Sequence, residues 1–251
     1  MKETQGRLIV ALDVPSFEEA RAIVDALGET VGTYKVGFQL FTAYGPFVVR
    51  YLQTLGKKVF LDLKFHDIPN TVASGVAAAV GLSVPVHDAL DAAGRKGSRF
   101  APLFMLTVHT QGGVEMMRAA AAAATKHALE LGVARPLIVG VTVLTSDAGG
   151  GDVAALVLER ARLAQAAGLD GVVASAREAA MLRNALGHDF VIVTPGIRPA
   201  DAAAGDQKRV ETPGDAIKNG SSFLVVGRPI VKAKDPQAAA RAILDEIAGI
   251  C

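Results

Sequence analysis

Short, continuous apolar runs recur along this chain, and each is followed by a stretch of helical character. The first is Arg7-Leu8-Ile9-Val10-Ala11-Leu12-Asp13. Pro15 and Ser16 then open a helix, with Ser16 as N-cap and Glu18 and Glu19 at the positive end of the dipole. Thr33-Tyr34-Lys35-Val36-Gly37 is the second run, and a helix is predicted over residues 41–55. Further strands are predicted over 57–64, 104–109, 136–144, 171–175, 190–194 and 222–227, with helices over 69–80, after Gly112-Gly113, and over 153–167, 177–186 and 236–248. Continuous apolar runs, as opposed to strict alternations, mark parallel strands buried on both faces. About eight such strands, each followed by a helix, close naturally into an α/β (β/α)8 TIM barrel spanning residues 1–251 as a single domain. An open doubly wound sheet competes, but no G-x-G-x-x-G follows the first strand.

At 251 residues and 51% hydrophobic, the chain has the material for one large core. Lys plus Arg number 26 against 25 acids, a balance that asks for neither nucleic acid nor membrane as partner. The lone cysteine, Cys251, excludes an internal disulfide framework or a cysteine-based metal cluster. The first six residues are polar, unlike a signal peptide, and no apolar run reaches the roughly 18 residues of a membrane span. A soluble, cytoplasmic protein is expected.

The chemistry concentrates in Asp62-Leu63-Lys64-Phe65-His66-Asp67-Ile68-Pro69-Asn70-Thr71. Side chains alternate along a strand, so Asp62 and Lys64 are expected on one face and Leu63 on the other. Burying either charge alone is costly, and burying both costs less only when they pair. A lone D-x-K at a strand end is most often a surface salt bridge. Here Asp67, Asn70 and Thr71 follow closely, and Asp13, Lys35, His109, Thr145 and Arg198 also sit at or just past the C-terminal ends of other strands. In barrels that end is the catalytic face.

Two stretches resemble phosphate loops. Pro195-Gly196-Ile197-Arg198-Pro199 follows the seventh strand and leads into a long segment with Gln207-Lys208-Arg209, and Gly227-Arg228-Pro229-Ile230 follows the eighth. Barrels often bind phosphate there, since glycine lets the backbone approach an anion and a guanidinium grips it in a fork. The segment over 198–214 is long for a connection, which favours a functional lid. Residues 85–102 interrupt a helix-to-strand connection that should be short. His87 and Asp88 lie in it, but two adjacent residues cannot enclose an ion.

Taken together these pieces resemble the orotidine 5′-phosphate decarboxylase family. The resemblance rests on Leu12-Asp13, Tyr34-Lys35-Val36-Gly37, the stretch from Asp62 to Thr71, Val108-His109, Leu144-Thr145-Ser146, Thr194-Pro195-Gly196-Ile197-Arg198, Gly205-Asp206-Gln207 and Val226-Gly227-Arg228-Pro229-Ile230, in the family's order. Relative to that pattern, the region around 85–102 is an insertion.

The resemblance implies a barrel homodimer, needing no metal or organic cofactor, that converts orotidine monophosphate to uridine monophosphate and carbon dioxide, the last step of pyrimidine nucleotide synthesis. It implies that Lys35, Asp62, Lys64 and Asp67 form an alternating charge network, with Asp67 supplied across the dimer, and that Lys64 protonates the carbon losing the carboxylate. Asp13 and Thr71 would hold ribose hydroxyls, Thr71 again across the dimer, and Thr145 and Ser146 would lie near the pyrimidine. Gln207, Gly227, Arg228 and Arg198 would grip the phosphate, with Ile68 and Pro195 in the same substrate-contacting set. The nearest rival is a magnesium-dependent sugar-phosphate decarboxylase or aldolase of the same superfamily, which shares D-x-K-x-x-D. Those enzymes resemble one another in placing an acidic residue on the second strand to bind the metal, where this chain has the cation Lys35. A non-catalytic phosphate-binding barrel would need no Asp62–Lys64–Asp67 array.

Overall fold

A computed structural model describes residues 6–85, 100–144, 152–199 and 211–250. The strands are β1 (Leu8–Ala11), β2 (Thr33–Gly37), β3 (Lys58–Phe65), β4 (Leu103–His109), β5 (Leu137–Val141), β6 (Gly171–Val173), β7 (Val191–Pro195) and β8 (Phe223–Val226). All pair in parallel in sequence order, and β8 returns to β1, so the sheet closes into an eight-stranded barrel. Helices stand between consecutive strands, among them Phe17–Leu27, Pro69–Gly81, Gly113–Leu131, Val153–Ala166 and Ala176–Leu186, and Pro236–Ala248 closes the chain. Ser16 caps the first of these, its hydroxyl accepting from the Glu19 N–H at 3.2 Å.

Alternation along the strands sorts the side chains into two cores. Leu8, Val10, Tyr34, Val36, Val59, Leu61, Leu106, Val108, Ile192 and Leu224 point outward and pack under the helices. Ile9, Ala11, Phe60, Met105, Val139, Val193 and Val225 point inward and fill the barrel. The next inward positions toward the C-terminal ends are Asp13, Asp62 and Thr107. A dry apolar layer therefore lies directly beneath a polar one, and this floor positions the site.

Several boundaries differ from the sequence expectation. The helix expected over 41–55 is two, Phe38–Tyr44 and Pro46–Thr54, because Pro46 excludes a helical Gly45, which adopts φ 57°. The strand expected to run to residue 144 ends at Val141. Beyond it the Thr142 hydroxyl donates to the Val173 carbonyl at 2.8 Å as the chain turns away. The long segment after β7 contains the start of a further helix, Pro213–Lys218, whose N-cap Thr212 accepts from the Asp215 N–H. Residues 86–99 of the expected insertion, Thr145 and Ser146, and Gln207 lie outside the described residues.

At the N-terminal end of the barrel, Arg183 ties two loops together. Its guanidinium donates to the carbonyls of Gly187, His188 and Phe190 at 2.6, 2.8 and 2.8 Å, to Gly220 at 2.8 Å, and to the Ser222 hydroxyl at 3.0 Å. This face is remote from the polar layer, and features there serve stability. Arg183→Met should cost about 2–4 kcal/mol by leaving these acceptors unpaired. In a thermal melt that corresponds to roughly 5–15 °C for a chain of this size. Turnover per folded molecule should not change, and a variant with unaltered melting would show that the clamp contributes nothing.

Candidate active site

The polar layer opens into a cavity of ≈ 500 Å³ at the C-terminal mouth of the barrel. One wall is a row of alternating charge. Lys35 Nζ donates to Asp13 Oδ1 at 2.9 Å and lies 3.4 Å from Asp62 Oδ2. Lys64 Nζ donates to both oxygens of Asp62 at 2.9 Å. The order is carboxylate, ammonium, carboxylate, ammonium. Lys35 and Asp62 are buried, whereas the Lys64 side chain is 27% and that of Asp13 55% exposed. Burial alone would push the Asp62 carboxyl up. The Lys35 and Lys64 ammoniums and the hydrogen bonds from Lys64 and Thr107 outweigh it and hold the group below the usual carboxylate value. Its ionisation therefore stabilises the fold at neutral pH, and that contribution is lost as pH falls through about 3.9 toward the lower folded value.

Glycine makes room for this row. A Cβ added to Gly37 would sit 2.9 Å from Lys35 Nζ and 3.3 Å from Asp13 Oδ1, so any side chain there displaces the ammonium. Lys64 caps the row from a distorted strand end. Pairing of β3 with β4 shifts register between Leu61 and Phe65, and Lys64 adopts φ 46°. Its ammonium also lies 5.4 Å from the centroid of the half-exposed Phe38 ring.

The opposite wall carries Pro195, Gly196, Arg198, Gly227 and Arg228, and Val141, Val143, Leu144 and Val173 give an apolar side. Gly227 lies beside the Asp13 end of the charged row, an added Cβ falling 4.0 Å from Asp13 Oδ2. Arg198 is buried, its backbone N–H donates to the Glu211 carbonyl, and its Nε has no partner among the described residues. A buried guanidinium among the residues that line the cavity, with two glycines beside it, is suited to an anionic group.

Asp67, Ile68 and Thr71 stand apart from this cavity. All three are exposed, and Asp67 Oδ1 accepts from the Ile68 N–H at 2.6 Å. His109 is also outside it. Its ring stacks on His66 at 5.4 Å, and its Nδ1 accepts from the Gln111 N–H. Burial first, then His66, Arg160 and Lys64, hold its pKa below the ordinary value. Thr107, which no sequence signal singled out, is fully buried and donates to Asp62 Oδ1 at 3.0 Å.

The sequence model of the orotidine 5′-phosphate decarboxylase / HUMPS family matches residues 6–243, which takes in every strand and the whole cavity. The chain belongs to this family. Orotidine 5′-phosphate decarboxylase of Moorella thermoacetica is 48% identical over 252 residues, covering 97% of this chain and 92% of the relative. That of Opitutus terrae is 48% identical over 248 residues, covering 96% and 97%. Among solved structures, the decarboxylase of Lactobacillus acidophilus superposes with a TM-score of 0.77 at 37% identity, covering 96% of this chain and 98% of that one. The family's barrel therefore extends over nearly the whole of this sequence.

Proposed function

We propose that this chain decarboxylates orotidine 5′-monophosphate to uridine 5′-monophosphate and carbon dioxide, the closing step of pyrimidine nucleotide synthesis, and works as a cytoplasmic homodimer without a metal or organic cofactor. The observation that carries the reading is the Asp13–Lys35–Asp62–Lys64 row, with the Lys64 ammonium held by both oxygens of a buried carboxylate at the barrel mouth. Breaking the bond between C6 and the carboxylate leaves an electron pair on a ring carbon that no adjacent carbonyl delocalises. Carbon dioxide departs, the electron pair stays at C6, and Lys64 delivers the proton that converts it to a C–H bond. The neutral amine then regains a proton from solvent.

A preorganised cation beside the reacting carbon stabilises such a carbanion without reorganisation cost. Asp62, beside the departing carboxylate, raises the energy of the bound substrate and also fixes Lys64. Asp67 of the partner subunit completes the Lys35–Asp62–Lys64 row in this reading, and its position outside the cavity of its own chain supports that assignment. Asp13 and the partner subunit's Thr71 take the ribose hydroxyls, and Ile68 belongs to the same crossing loop. Thr145 and Ser146 lie near the pyrimidine. Arg198, Arg228, Gly227 and Gln207 take the phosphate, with Pro195 beside them. The exposed Ile68 and Phe38 on the rim are apolar surface of the kind a subunit interface covers.

The magnesium-dependent rival needs an acid where Lys35 stands. An ammonium between Asp13 and Asp62 occupies the place between two carboxylates that a cation would take.

The test is loss of orotidine monophosphate absorbance in the presence of a chelator. Turnover at an undiminished rate is expected, and dependence on added magnesium would overturn the reading. The nucleoside lacking phosphate should be far worse, since two arginine contacts to phosphate are together worth roughly 4–6 kcal/mol. That is a loss of about 10³–10⁴ in kcat/KM. Part of it should fall on kcat, because remote binding energy is expressed in the chemical step. Equal efficiency for nucleoside and nucleotide would show that this wall does not bind phosphate.

A further inference from the structure

We infer that Thr107 is a positioning residue for Lys64, an inference that rests on the proposed role of Lys64 in proton delivery. Among the described residues, Lys64 is the one residue other than glycine with positive φ, at 46°. An L-residue in that region is strained, because its Cβ crowds the following carbonyl. Strain of this kind persists only where the surroundings over-determine it. The β3–β4 ladder does not do so, since its register breaks between Leu61 and Phe65, across Lys64 itself.

A side-chain hydroxyl takes the place of the missing ladder acceptor. The Lys64 backbone N–H donates to Thr107 Oγ1 at 2.7 Å, and the same hydroxyl donates to Asp62 Oδ1 at 3.0 Å. Thr107 Oγ1 thus has its acceptor and donor roles both committed. It ties the kinked backbone of Lys64 to the carboxylate that receives the Lys64 ammonium. The triangle closes from β4, a strand that contributes no group to the row of charge.

Burial makes the link stiff. Thr107 is 0% exposed and stands one inward position above Met105 of the barrel's apolar filling. Water is excluded there, so a hydroxyl removed from this point is not replaced by solvent. Without it the Lys64 N–H loses its acceptor, the left-handed turn loses its lock, and Asp62 Oδ1 loses a donor. The ammonium would then be carried by a long side chain on a relaxed strand end, out of register with a substrate held by the far wall.

Three proteins test this: wild type, Thr107→Val, which keeps the branched shape without the hydroxyl, and Thr107→Ser, which keeps the hydroxyl. Assayed on orotidine monophosphate, Thr107→Val should lose about 100-fold in kcat, the scale of a misplacement near 1 Å, with KM within about fivefold. Thr107→Ser should stay within about threefold of wild type. A crystal structure of Thr107→Val should show Lys64 at negative φ with its ammonium withdrawn from Asp62. A purely structural threonine would lower the melting temperature of the valine variant and leave kcat per folded subunit intact. Retained kcat in Thr107→Val, equal losses in the valine and serine variants, or an unchanged Lys64 backbone would each overturn the inference. A wild-type protein that consumes no substrate would instead overturn the functional reading, and the crystal structure of Thr107→Val would still decide the positioning role. Should the valine variant not fold, Thr107→Cys, with a weaker donor of similar size, takes its place under the same criteria.

Discussion

Lys64→Ala should abolish turnover of orotidine monophosphate while nucleotide binding survives within about tenfold. Two effects vanish with one side chain. Removing a preorganised donor at a developing charge costs about 10²–10³ in kcat. Removing a positioned general acid costs a further 10²–10⁴ or so. Without overlap the two multiply to about 10⁴–10⁷-fold, and with partial overlap the expected loss is still at least about 10³-fold in kcat. Binding should hold because the anchors assigned to phosphate and ribose, Arg198, Arg228, Gly227 and Asp13, follow β1, β7 and β8, strands other than the one that carries Lys64. The variant should also protonate Asp62 more readily. Its carboxyl keeps Lys35 at 3.4 Å and the Thr107 hydroxyl but loses both 2.9 Å contacts with Lys64. The loss of stability should therefore be largest at pH 7 and smaller near pH 4 and below, because only the ionised Asp62 gains from the Lys64 ammonium and a carboxyl less depressed in the folded state has less to lose on protonation. Steady-state kinetics and a nucleotide titration of the same preparation check the prediction. Activity within tenfold of wild type removes Lys64 from the chemistry.

The barrel was legible because every strand is apolar on both faces, so each run stood out whatever its exact ends. The polar layer was legible because Asp13, Lys35 and Asp62 interrupt those runs at one end. What could not be read was how the layer is wired. Asp13 and Lys35 are 22 residues apart and meet only through closure of the barrel. The expectation that Asp62 and Lys64 share a face holds, since both line the cavity, but it assumed a regular strand. The chain instead kinks at Lys64, and the ammonium reaches Asp62 through the length of its side chain and the turn at φ 46°. Thr107 gave no signal because threonine inside a strand is an ordinary β-former. The break at Gly45-Pro46 did carry a signal, a Gly-Pro pair inside a helical pattern, which the apolar periodicity across it obscured. Asp67 was tied to the charge row only by resemblance to the family. Within its own chain its carboxylate is occupied with the Ile68 N–H.

That position makes the shared site the sharpest remaining question, and mixing two inactive proteins should restore about a quarter of wild-type activity. Asp67, Ile68 and Thr71 form an exposed patch at the rim, past the end of the strand that carries Asp62 and Lys64. Ile68, next to Asp67, is apolar and 65% exposed, and covering it would remove that surface from water. If that loop enters the neighbouring cavity, Lys64→Ala and Asp67→Ala should each be nearly inactive alone. In a mixed dimer one site then inherits both defects, whereas the other combines an intact Lys64 with the partner subunit's Asp67. The two-fold symmetry of an isologous dimer makes this crossing reciprocal. Random pairing after joint unfolding and refolding makes about half the dimers mixed, each with one working site of two, hence roughly a quarter of the full rate. Were Asp67 to serve its own subunit, each site in a mixed dimer would keep the single defect of its own chain, and mixing would restore nothing. Subunit exchange is monitored separately with a size or affinity tag on one variant. Demonstrated exchange without recovered activity sinks the shared site and returns Asp67 to the role it visibly has in one chain, ordering its own loop.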